Sequence, residues 1–308
     1  MILRQLLTGL ITLFVVITLT FVLMRLLPGG PFDEERVLPP EIKANIEAKY
    51  HLDKPLLVQY GYYLRDIAQG DLGPSYKFKT RRVNDIVGEA TLVSFWIGFL
   101  ALILGAFFGV VLGAMAGLTQ NRSEDGALLL LGVTSVSMPS FIFGGFLVLV
   151  FSLWLKWFPA ATLASPLHYV LPVITLALVP FAYSFLLIRT SVREMRTQPF
   201  VLIKKSFGLE ERHVNVRHIL RNSLLPLMSI IGPIAAAVMT GSFAVEYIFA
   251  VPGLGRHFIT AVSNRDYTVV MGITIVYSVA LIAFNMLTDM IYSYLDPRLR
   301  NKGEMLDA

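Results

Sequence analysis

Six stretches of the sequence contain no Asp, Glu, Lys or Arg and consist mainly of apolar residues. They cover residues 5–24, 90–121, 126–155, 157–188, 222–245 and 267–288. An apolar helix crosses the hydrocarbon core of a bilayer in about 20 residues, and a helix satisfies its own backbone hydrogen bonds there. Each stretch is long enough for one such helix. The pattern therefore predicts an all-α integral membrane protein with six transmembrane helices.

Composition supports this class and excludes others. Of the 308 residues, 55% are hydrophobic and only 15% are charged, whereas soluble domains are about 25% charged. The net charge of +5 does not indicate a nucleic-acid partner, because such proteins concentrate Lys and Arg on a polar domain. The sequence has no Cys, so it offers neither disulfides nor thiolate metal ligands. A soluble enzyme is excluded.

The basic residues between the apolar stretches predict the orientation in the membrane. Outside residues 28–90, 13 Lys and Arg fall on one predicted side and four on the other. Eight of the 13 lie between Arg189 and Arg221. Because short cytoplasmic loops are enriched in Lys and Arg, we expect this side, and both termini, to be cytoplasmic.

These boundaries divide the chain into four parts. We predict a first transmembrane helix within 1–27, a helical extracytoplasmic insertion at 28–90, a five-helix core at 91–298 and a cytoplasmic tail at 299–308. The core contains a cytoplasmic loop at 189–222. Within the insertion, apolar residues at helical spacing predict two short amphipathic helices, one from Pro39 and one from Leu56 to Ile67, ended by Gly70. The insertion is either a cap on the bundle or a docking surface for an external partner.

Charged residues are absent from the middle of every apolar stretch. Ion-coupled carriers place ionisable groups there and are usually built from inverted repeats, and the sequence shows neither a charge in mid-stretch nor an internal repeat. Glu246, Asp289 and His168 lie near the ends of stretches, where we expect helix-end or interhelical hydrogen bonds. No metal-ligand spacing, catalytic signature or G-x-x-x-x-G-K-[ST] phosphate loop is present. We therefore expect no catalytic residues, no metal site and no enzyme activity.

Glycines recur every four residues in the second apolar stretch and so share one helix face. They are Gly105, Gly109, Gly113 and Gly117. Small residues allow helices to approach closely in lipid. We interpret this face as a helix-packing surface in preference to part of a transport path.

The cytoplasmic loop contains a short helix signal. Pro199 suits a helix start and Gly208 a helix end, which predicts a helix from Phe200 to Phe207. Its residues are Phe200, Val201, Leu202, Ile203, Lys204, Lys205, Ser206 and Phe207. We expect the five apolar side chains to face the cytoplasm. Such a surface needs cover, either from anionic lipid, which attracts the basic residues, or from a protein partner.

Several motifs together resemble a known transporter family. The loop helix, Gly208 and the later Pro226 resemble the coupling loop of membrane subunits of ABC importers. The segments 246–256, 264–267 and 285–298 resemble the dipeptide, oligopeptide and nickel importer permeases. The matching residues are Glu246, Pro252, Gly253, Gly255, Asp266, Tyr267, Asn285, Asp289, Asp296, Pro297 and Arg298. Segments 25–32, 38–41, 44–55 and 70–75 look closest to the B-type subunit of oligopeptide permeases.

The resemblance implies a function and a set of partners. It implies a multi-pass permease of the bacterial inner membrane, forming half of a pathway for oligopeptides beside a second, related permease. Two ATPase subunits would carry ATP and Mg²⁺, this chain would bind no cofactor, and an extracytoplasmic binding protein would deliver peptide. Nickel or another small solute is the alternative cargo, and a secondary carrier is the rival class. One departure concerns the coupling helix: family members place small and charged residues where Leu202, Ile203 and Lys204 stand here.

Overall fold

The computed structural model describes residues 2–27, 52–78 and 80–295. Regular structure in these residues is helical, apart from one isolated antiparallel pairing between Pro74 and Arg82. The first of the two predicted amphipathic helices lies outside the described residues, as do Asp296, Pro297 and Arg298. The all-α prediction is confirmed.

The helices are numbered α1 to α13 along the chain. The first six are α1 Ile2–Leu26, α2 Leu56–Ala68, α3 Val83–Leu118, α4 Arg122–Ser137, α5 Ser140–Leu147 and α6 Val170–Arg196. The others are α7 Pro199–Ser206, α8 Glu211–Val214, α9 Arg221–Ser223, α10 Leu225–Met239, α11 Phe243–Ile248, α12 Leu254–Ser263 and α13 Tyr267–Leu295. Two π-helical turns, Val148–Trp154 and Asn215–Leu220, extend α5 and join α8 to α9, and a 3-10 turn, Pro166–Tyr169, precedes α6.

Five helical segments in the described part of the chain are long and apolar enough to cross a membrane. They are Leu3–Leu26, Val83–Leu118, Pro166–Arg196, Leu225–Ile248 and Tyr267–Met290. A sixth candidate is the pair Arg122–Ser137 and Ser140–Trp154, which bends by 107° between its two halves. The six predicted stretches therefore correspond to five continuous candidates and one bent pair.

The bend in the third stretch has a local cause. Proline disfavours the helical conformation of the residue before it, and Met138 precedes Pro139 with an extended backbone at φ −85° and ψ 120°. Helix α4 ends there, and α5 starts directly after Pro139. A single straight span through 126–155, which the composition suggests, is therefore not what the chain forms.

Helices α3 and α6 are two of those that extend beyond the charge-free stretches that predict them. Helix α3 begins at Val83, before the stretch that starts at residue 90, and Asp85 lies in its first turn. Helix α6 continues to Arg196, past the end of its stretch at residue 188. Charged residues can occupy helix ends that leave the hydrocarbon, so the absence of charge marks the membrane core of a helix and not its ends.

The chain divides into two compact units. The first comprises Met1–Leu92 and Gly253–Val279. Its core joins the start of α3, where Val83, Ile86 and Ala90 are buried, to apolar side chains of α12 and α13. Helix α2 packs on α1 in the same unit: the Thr18 and Tyr60 hydroxyls are 2.6 Å apart, and the Phe21 and Tyr60 ring centroids are 5.2 Å apart.

The second unit comprises Val93–Pro252 and Ala280–Ala308. One of its apolar clusters surrounds Phe249, with buried side chains from α3, α6, α10 and α11. Another joins the C-terminal end of α6 to the predicted cytoplasmic loop through Ile188, Val192, Val201 and Val214. This second cluster determines where the predicted coupling helix lies.

The glycine face of α3 packs against α6 in this unit. A Cβ on Gly105 would lie 2.4 Å from the Ala177 carbonyl oxygen, and one on Gly109 would lie 2.6 Å from the Ser184 Cβ. A Cβ on Gly113 or Gly117, further along α3, would lie similarly close to atoms of α6. Any side chain on these four positions would push the two helices apart.

Candidate coupling site and signature segments

The short helix predicted in the loop at 189–222 is α7. It begins at Pro199, whose missing N–H costs nothing at a helix start, and it ends at Ser206. Gly208 follows with φ +75°, a left-handed conformation that glycine adopts without the steric penalty of a Cβ. The predicted helix bounds and the role of Gly208 in ending the helix agree with the structure.

Helix α7 has one buried and one exposed side. Val201 is 1% exposed and belongs to the cluster with Ile188 and Val192, and Phe200 packs against that cluster. Leu202, Ile203 and Phe207 are 63%, 54% and 79% exposed. The expectation that all five apolar side chains face outward is therefore wrong for Val201 and Phe200. The apolar residues Phe200 to Ile203 are consecutive, so they show no helical periodicity that would indicate which side packs inward.

The segment after Gly208 packs against the same buried side of α7. Helices α8 and α9, joined by the turn Asn215–Leu220, form one helical stretch. Val214 and Ile219 from this stretch are buried beside Val201. Pro226 then lies in the first turn of α10. The loop is thus a helical hairpin packed on the end of α6.

A cluster of charges lies at the same end of α6. Asp125 in the first turn of α4 accepts two hydrogen bonds from Arg189, from Nε at 2.8 Å and Nη2 at 2.9 Å. Arg193 Nη2 is 2.7 Å from the same carboxylate. One turn further on, Arg196 donates to the carbonyl oxygens of Gly117 at 3.1 Å and Leu118 at 2.7 Å, at the end of α3.

This charge cluster is absent from the sequence predictions. Its only sequence signal is position, since Asp125 and Arg189 both border apolar stretches on the predicted cytoplasmic side. Both side chains are largely shielded, at 17% and 14% exposure. The carboxylate therefore ties α4 to α6 with bidentate geometry, which is the stronger form of ion pair.

Among the signature residues, Glu246 is buried on α11. Its Oε1 accepts a hydrogen bond from the Ser94 hydroxyl on α3 at 2.7 Å. Gly241 lies beside them with φ +99°, and a Cβ there would be 2.5 Å from Glu246 Oε1. The expectation of an interhelical hydrogen bond for Glu246 matches this geometry.

The chain reverses after Glu246 through a left-handed residue. Ala250 has φ 50°, and the N–H groups of Ala250 and Val251 donate to the carbonyls of Tyr247 at 3.2 Å and Glu246 at 2.9 Å. This pattern is a Schellman ending, in which glycine usually occupies the left-handed position. The next two residues are Val251, which is buried, and Pro252, which is exposed.

Asp266 organises the second signature segment. It is buried and accepts hydrogen bonds from the Ser75 hydroxyl, from the Tyr76 N–H at 3.2 Å and from the Thr268 hydroxyl at 3.0 Å. The carboxylate thus caps α13 and fixes the segment before α3. Tyr267, Gly253 and Gly255 are also buried in this unit.

The remaining signature residues lie on α13. Asn285 is half-buried and Asp289 is exposed, and they are four residues apart, so they share one helix face. The signature is therefore spread over several local structures.

The described residues contain no group of three or more His, Asp or Glu arranged to hold a metal ion. His213 and His218 are neighbours, with ring centroids 5.9 Å apart. Burial, and then Lys204, His213 and Arg217, lower the pKa of His218. His168 accepts a hydrogen bond from the Ser165 N–H at 3.1 Å and so caps the turn before α6.

Comparison with known proteins gives the family. Residues 109–301 match the family described as the binding-protein-dependent transport system inner membrane component. The chain belongs to this family. It is 44% identical to the dipeptide transport system permease protein DppB of Bacillus subtilis, over 94% of both chains. It is 40% identical to the oligopeptide transport system permease protein OppB of Haemophilus influenzae, over 96% of this chain and 98% of the relative.

A third relative extends the same likeness. The oligopeptide transport system permease protein OppB of Escherichia coli K12 is 40% identical over 97% of this chain and 98% of its own length. These matches confirm the resemblance that the signature segments carry. The chain is a multi-pass protein of the bacterial inner membrane and a component of a transport system.

Proposed function

We propose that the chain is the permease subunit of an ABC importer for short peptides. The three relatives named above are dipeptide or oligopeptide permeases and align with almost the whole chain. Their names favour peptides over nickel as cargo. The chain forms one half of the translocation path, and a second, related permease forms the other half.

Energy comes from separate subunits in this proposal. The sequence has no phosphate-binding loop, so ATP and Mg²⁺ bind to two ATPase subunits and this chain has no enzyme activity of its own. An extracytoplasmic binding protein delivers the peptide, in keeping with the family description. Membrane lipid surrounds the apolar helices.

Helix α7 is the contact with an ATPase subunit. The observation that carries this assignment is its two-sided structure, with Leu202, Ile203 and Phe207 exposed and Val201 buried. An apolar patch of this kind suits a protein partner. Because Leu202 and Ile203 replace small and charged residues, we expect an ATPase cleft that accepts larger apolar side chains.

The contacts on the buried side of α7 would transmit a movement of the ATPase subunit to the membrane helices. Val201 packs on Ile188 and Val192 of α6, and packed interiors transmit displacement because they are nearly incompressible. Arg189 then links α6 to Asp125 on α4. Closure of the ATPases would move α7, α6 and α4 together and so change which side of the path is open.

The test is ATPase association with substituted permeases. Phe207→Asp and Leu202→Asp place a charge on the exposed side of α7 and should abolish co-purification of the ATPase while leaving the permease folded. Leu202→Met keeps the patch apolar and should bind normally. Val216→Asp makes the same charge change at an exposed position on the neighbouring helical turn and should also bind normally.

Two outcomes would reject the assignment. The first is full ATPase association of both Asp variants of α7. The second is equal loss of association in Val216→Asp, because the effect would then reflect the charge of the whole surface and not contact with α7.

A further inference from the structure

Two tryptophans lie exposed where the bent pair of the third stretch ends. Trp154 is the last residue of the π-helical turn after α5, and Trp157 follows shortly after it. These two residues are 70% and 61% exposed, and Leu153 and Leu155 beside them are exposed as well. We call residues 153–157 the tryptophan turn. A continuous apolar patch of this kind marks a contact with a membrane or a protein.

The tryptophan turn is held in one conformation. The N–H groups of Trp157 and Phe158 donate to the Phe151 carbonyl at 2.9 and 3.3 Å, and the Phe151 and Trp157 ring centroids are 5.8 Å apart. Lys156 has φ 55°, a left-handed conformation that such a residue adopts only where its surroundings fix it. Phe158 packs on the apolar cluster around Phe249, whereas both tryptophans stay exposed. Their exposure is therefore a property of a defined turn.

Contacts along α6 indicate on which side of the membrane the turn lies. Asp125 in α4 binds Arg189, near the predicted cytoplasmic end of α6. A Cβ on Gly144 in α5 would lie 3.1 Å from Thr175 Cγ2, which is close to the start of α6. The bent pair thus follows α6 from its cytoplasmic end towards its start. Because the tryptophan turn comes after Gly144, it lies on the predicted extracytoplasmic side.

Neither half of the bent pair can cross the hydrocarbon core alone. Helix α4 has 16 residues, which gives about 24 Å at 1.5 Å per residue. Helix α5 and its π-helical turn, Ser140–Trp154, are no longer than about 22 Å together. The core is about 30 Å thick, and the two halves bend by 107°. A contact at the outer end of the pair would therefore hold both halves in the bilayer.

The residue types in the turn indicate what covers it. Tryptophan is enriched at membrane–water interfaces because its ring is apolar and its N–H is polar. Lysine places its charged end among the headgroups while its stem stays in apolar surroundings, and it is depleted from interfaces between proteins. Lys156 is exposed and forms no ion pair with the described residues. A lysine between two exposed tryptophans therefore favours phospholipid headgroups over a protein partner.

We propose that the tryptophan turn binds anionic phospholipids of the outer leaflet. The Lys156 ammonium group binds the headgroup phosphate, the two indoles lie at the level of the headgroups, and Leu153 and Leu155 contact the acyl chains. The bound lipid holds the outer end of the bent pair at the membrane surface. This binding does not depend on which solute the importer carries.

Photo-crosslinking of the complete importer in proteoliposomes identifies what covers the turn. The photoreactive residue p-benzoylphenylalanine replaces Trp157, in vesicles with equal amounts of phosphatidylglycerol and phosphatidylcholine that carry the same acyl chains. Mass spectrometry should detect phospholipid adducts, with phosphatidylglycerol in about five-fold excess, as expected from the attraction of one lysine to anionic lipid. The same photoreactive residue in place of Phe158, which packs on the core, should give far fewer lipid adducts.

Substitutions of Lys156 test its contact with the headgroup. Lys156→Gln should remove the excess of phosphatidylglycerol, and Lys156→Arg should keep it. An unchanged total of lipid adducts in Lys156→Gln shows that the turn is still folded. Lys54→Gln is the matched control, because it removes another half-exposed lysine on the predicted extracytoplasmic side, one that pairs with Asp53 at 3.2 Å. It should leave the excess unchanged.

Three outcomes would reject the lipid site. Adducts to another importer subunit or to the binding protein, in place of lipid, would identify the patch as a protein interface. Absence of adducts from position 157 would show that the turn faces water. Equal adducts of the two lipids with Lys156 in place, or an equal loss of the excess in Lys54→Gln and Lys156→Gln, would exclude a specific contact of Lys156 with anionic headgroups.

Discussion

Arg189 binds Asp125 through a bidentate pair, with Nε 2.8 Å from Oδ1 and Nη2 2.9 Å from Oδ2. The pair joins α6 to the first turn of α4, on the side of the molecule where α7 packs against α6. Both residues are largely shielded from solvent, so water and salt screen their attraction less than at an exposed pair. The carboxylate therefore links α4 to α6, the helix on which the helical hairpin packs.

Asp125→Asn should lower the free energy of unfolding by about 2 kcal/mol, the typical loss of a hydrogen bond to a charged group. The amide oxygen can still accept, but it no longer neutralises Arg189 and Arg193. Thermal unfolding of the detergent-solubilised permease measures the change. Glu124→Gln, at the adjacent exposed acidic residue, should cost less than about 1 kcal/mol, because its carboxylate accepts exposed hydrogen bonds from Thr119 Oγ1 and Asn121 Nδ2 and the Gln Oε1 can still accept one of them. Equal losses for the two variants would disprove the link.

Gly105→Ala should separate α3 from α6. The new Cβ would lie 2.4 Å from the Ala177 carbonyl oxygen and 2.7 Å from Pro180 Cγ, and we expect a loss of about 1–3 kcal/mol from overpacking. Gly88, on the same helix, has no neighbouring atom within 4 Å of the corresponding position. Gly88→Ala should therefore stabilise α3 by about 0.5–1 kcal/mol. Chemical denaturation of both variants checks the opposite signs.

Replacing glycine by alanine at one position with positive φ, and alanine by glycine at another, should change the free energy of unfolding in opposite directions. Gly241→Ala would add a Cβ at φ +99°, 2.5 Å from Glu246 Oε1 and 3.0 Å from Ser94 Oγ, so we expect a loss of about 2 kcal/mol from strain and a disrupted hydrogen bond. Ala250→Gly should gain about 0.5–1 kcal/mol because glycine suits φ 50°. A stabilising Gly241→Ala, measured in the same unfolding assay, would contradict the geometry.

His257 should make stability fall under mildly acidic conditions. Burial, and then the positive charges of Arg81 and Arg256, lower its pKa, while Glu89 acts in the opposite direction. Above the ordinary pKa of about 6.5 both folded and unfolded forms are neutral. Below it the unfolded form takes up a proton first. The free energy of unfolding therefore decreases as the pH is lowered, until the folded form also takes up a proton. His257→Gln should remove this part of the pH dependence below about pH 6.5, the ordinary histidine pKa. An unchanged profile in the variant would exclude His257 as its source.

The sequence predicts the membrane class and most helices because a bilayer imposes a simple rule on composition. An apolar stretch of about 20 residues without charge must either span the membrane or be buried in the protein. The candidate membrane-spanning helices follow from that rule. Helix α7 is predictable because Pro199 and Gly208 act locally. Glu246 at the edge of its stretch is predictable as an interhelical group because a buried carboxylate needs a partner.

Features that depend on contacts between distant residues are not predictable in this way. The burial of Val201 depends on Ile188 and Val214, which occupy different helices. The pairing of Asp125 with Arg189 joins residues 64 positions apart, and no local pattern links them. The bend at Pro139 has a local signal, but composition alone does not separate a bent pair from a straight span.

ATP-dependent peptide uptake is the measurement that tests the central claim most directly. Proteoliposomes with the complete importer, the binding protein outside and ATP inside, should take up labelled trialanine, and uptake should persist when a protonophore collapses the proton gradient. Phe207→Asp should abolish uptake, while Leu202→Met should preserve it. Uptake without internal ATP, loss of uptake on adding the protonophore, or full uptake by Phe207→Asp would contradict an importer driven through α7.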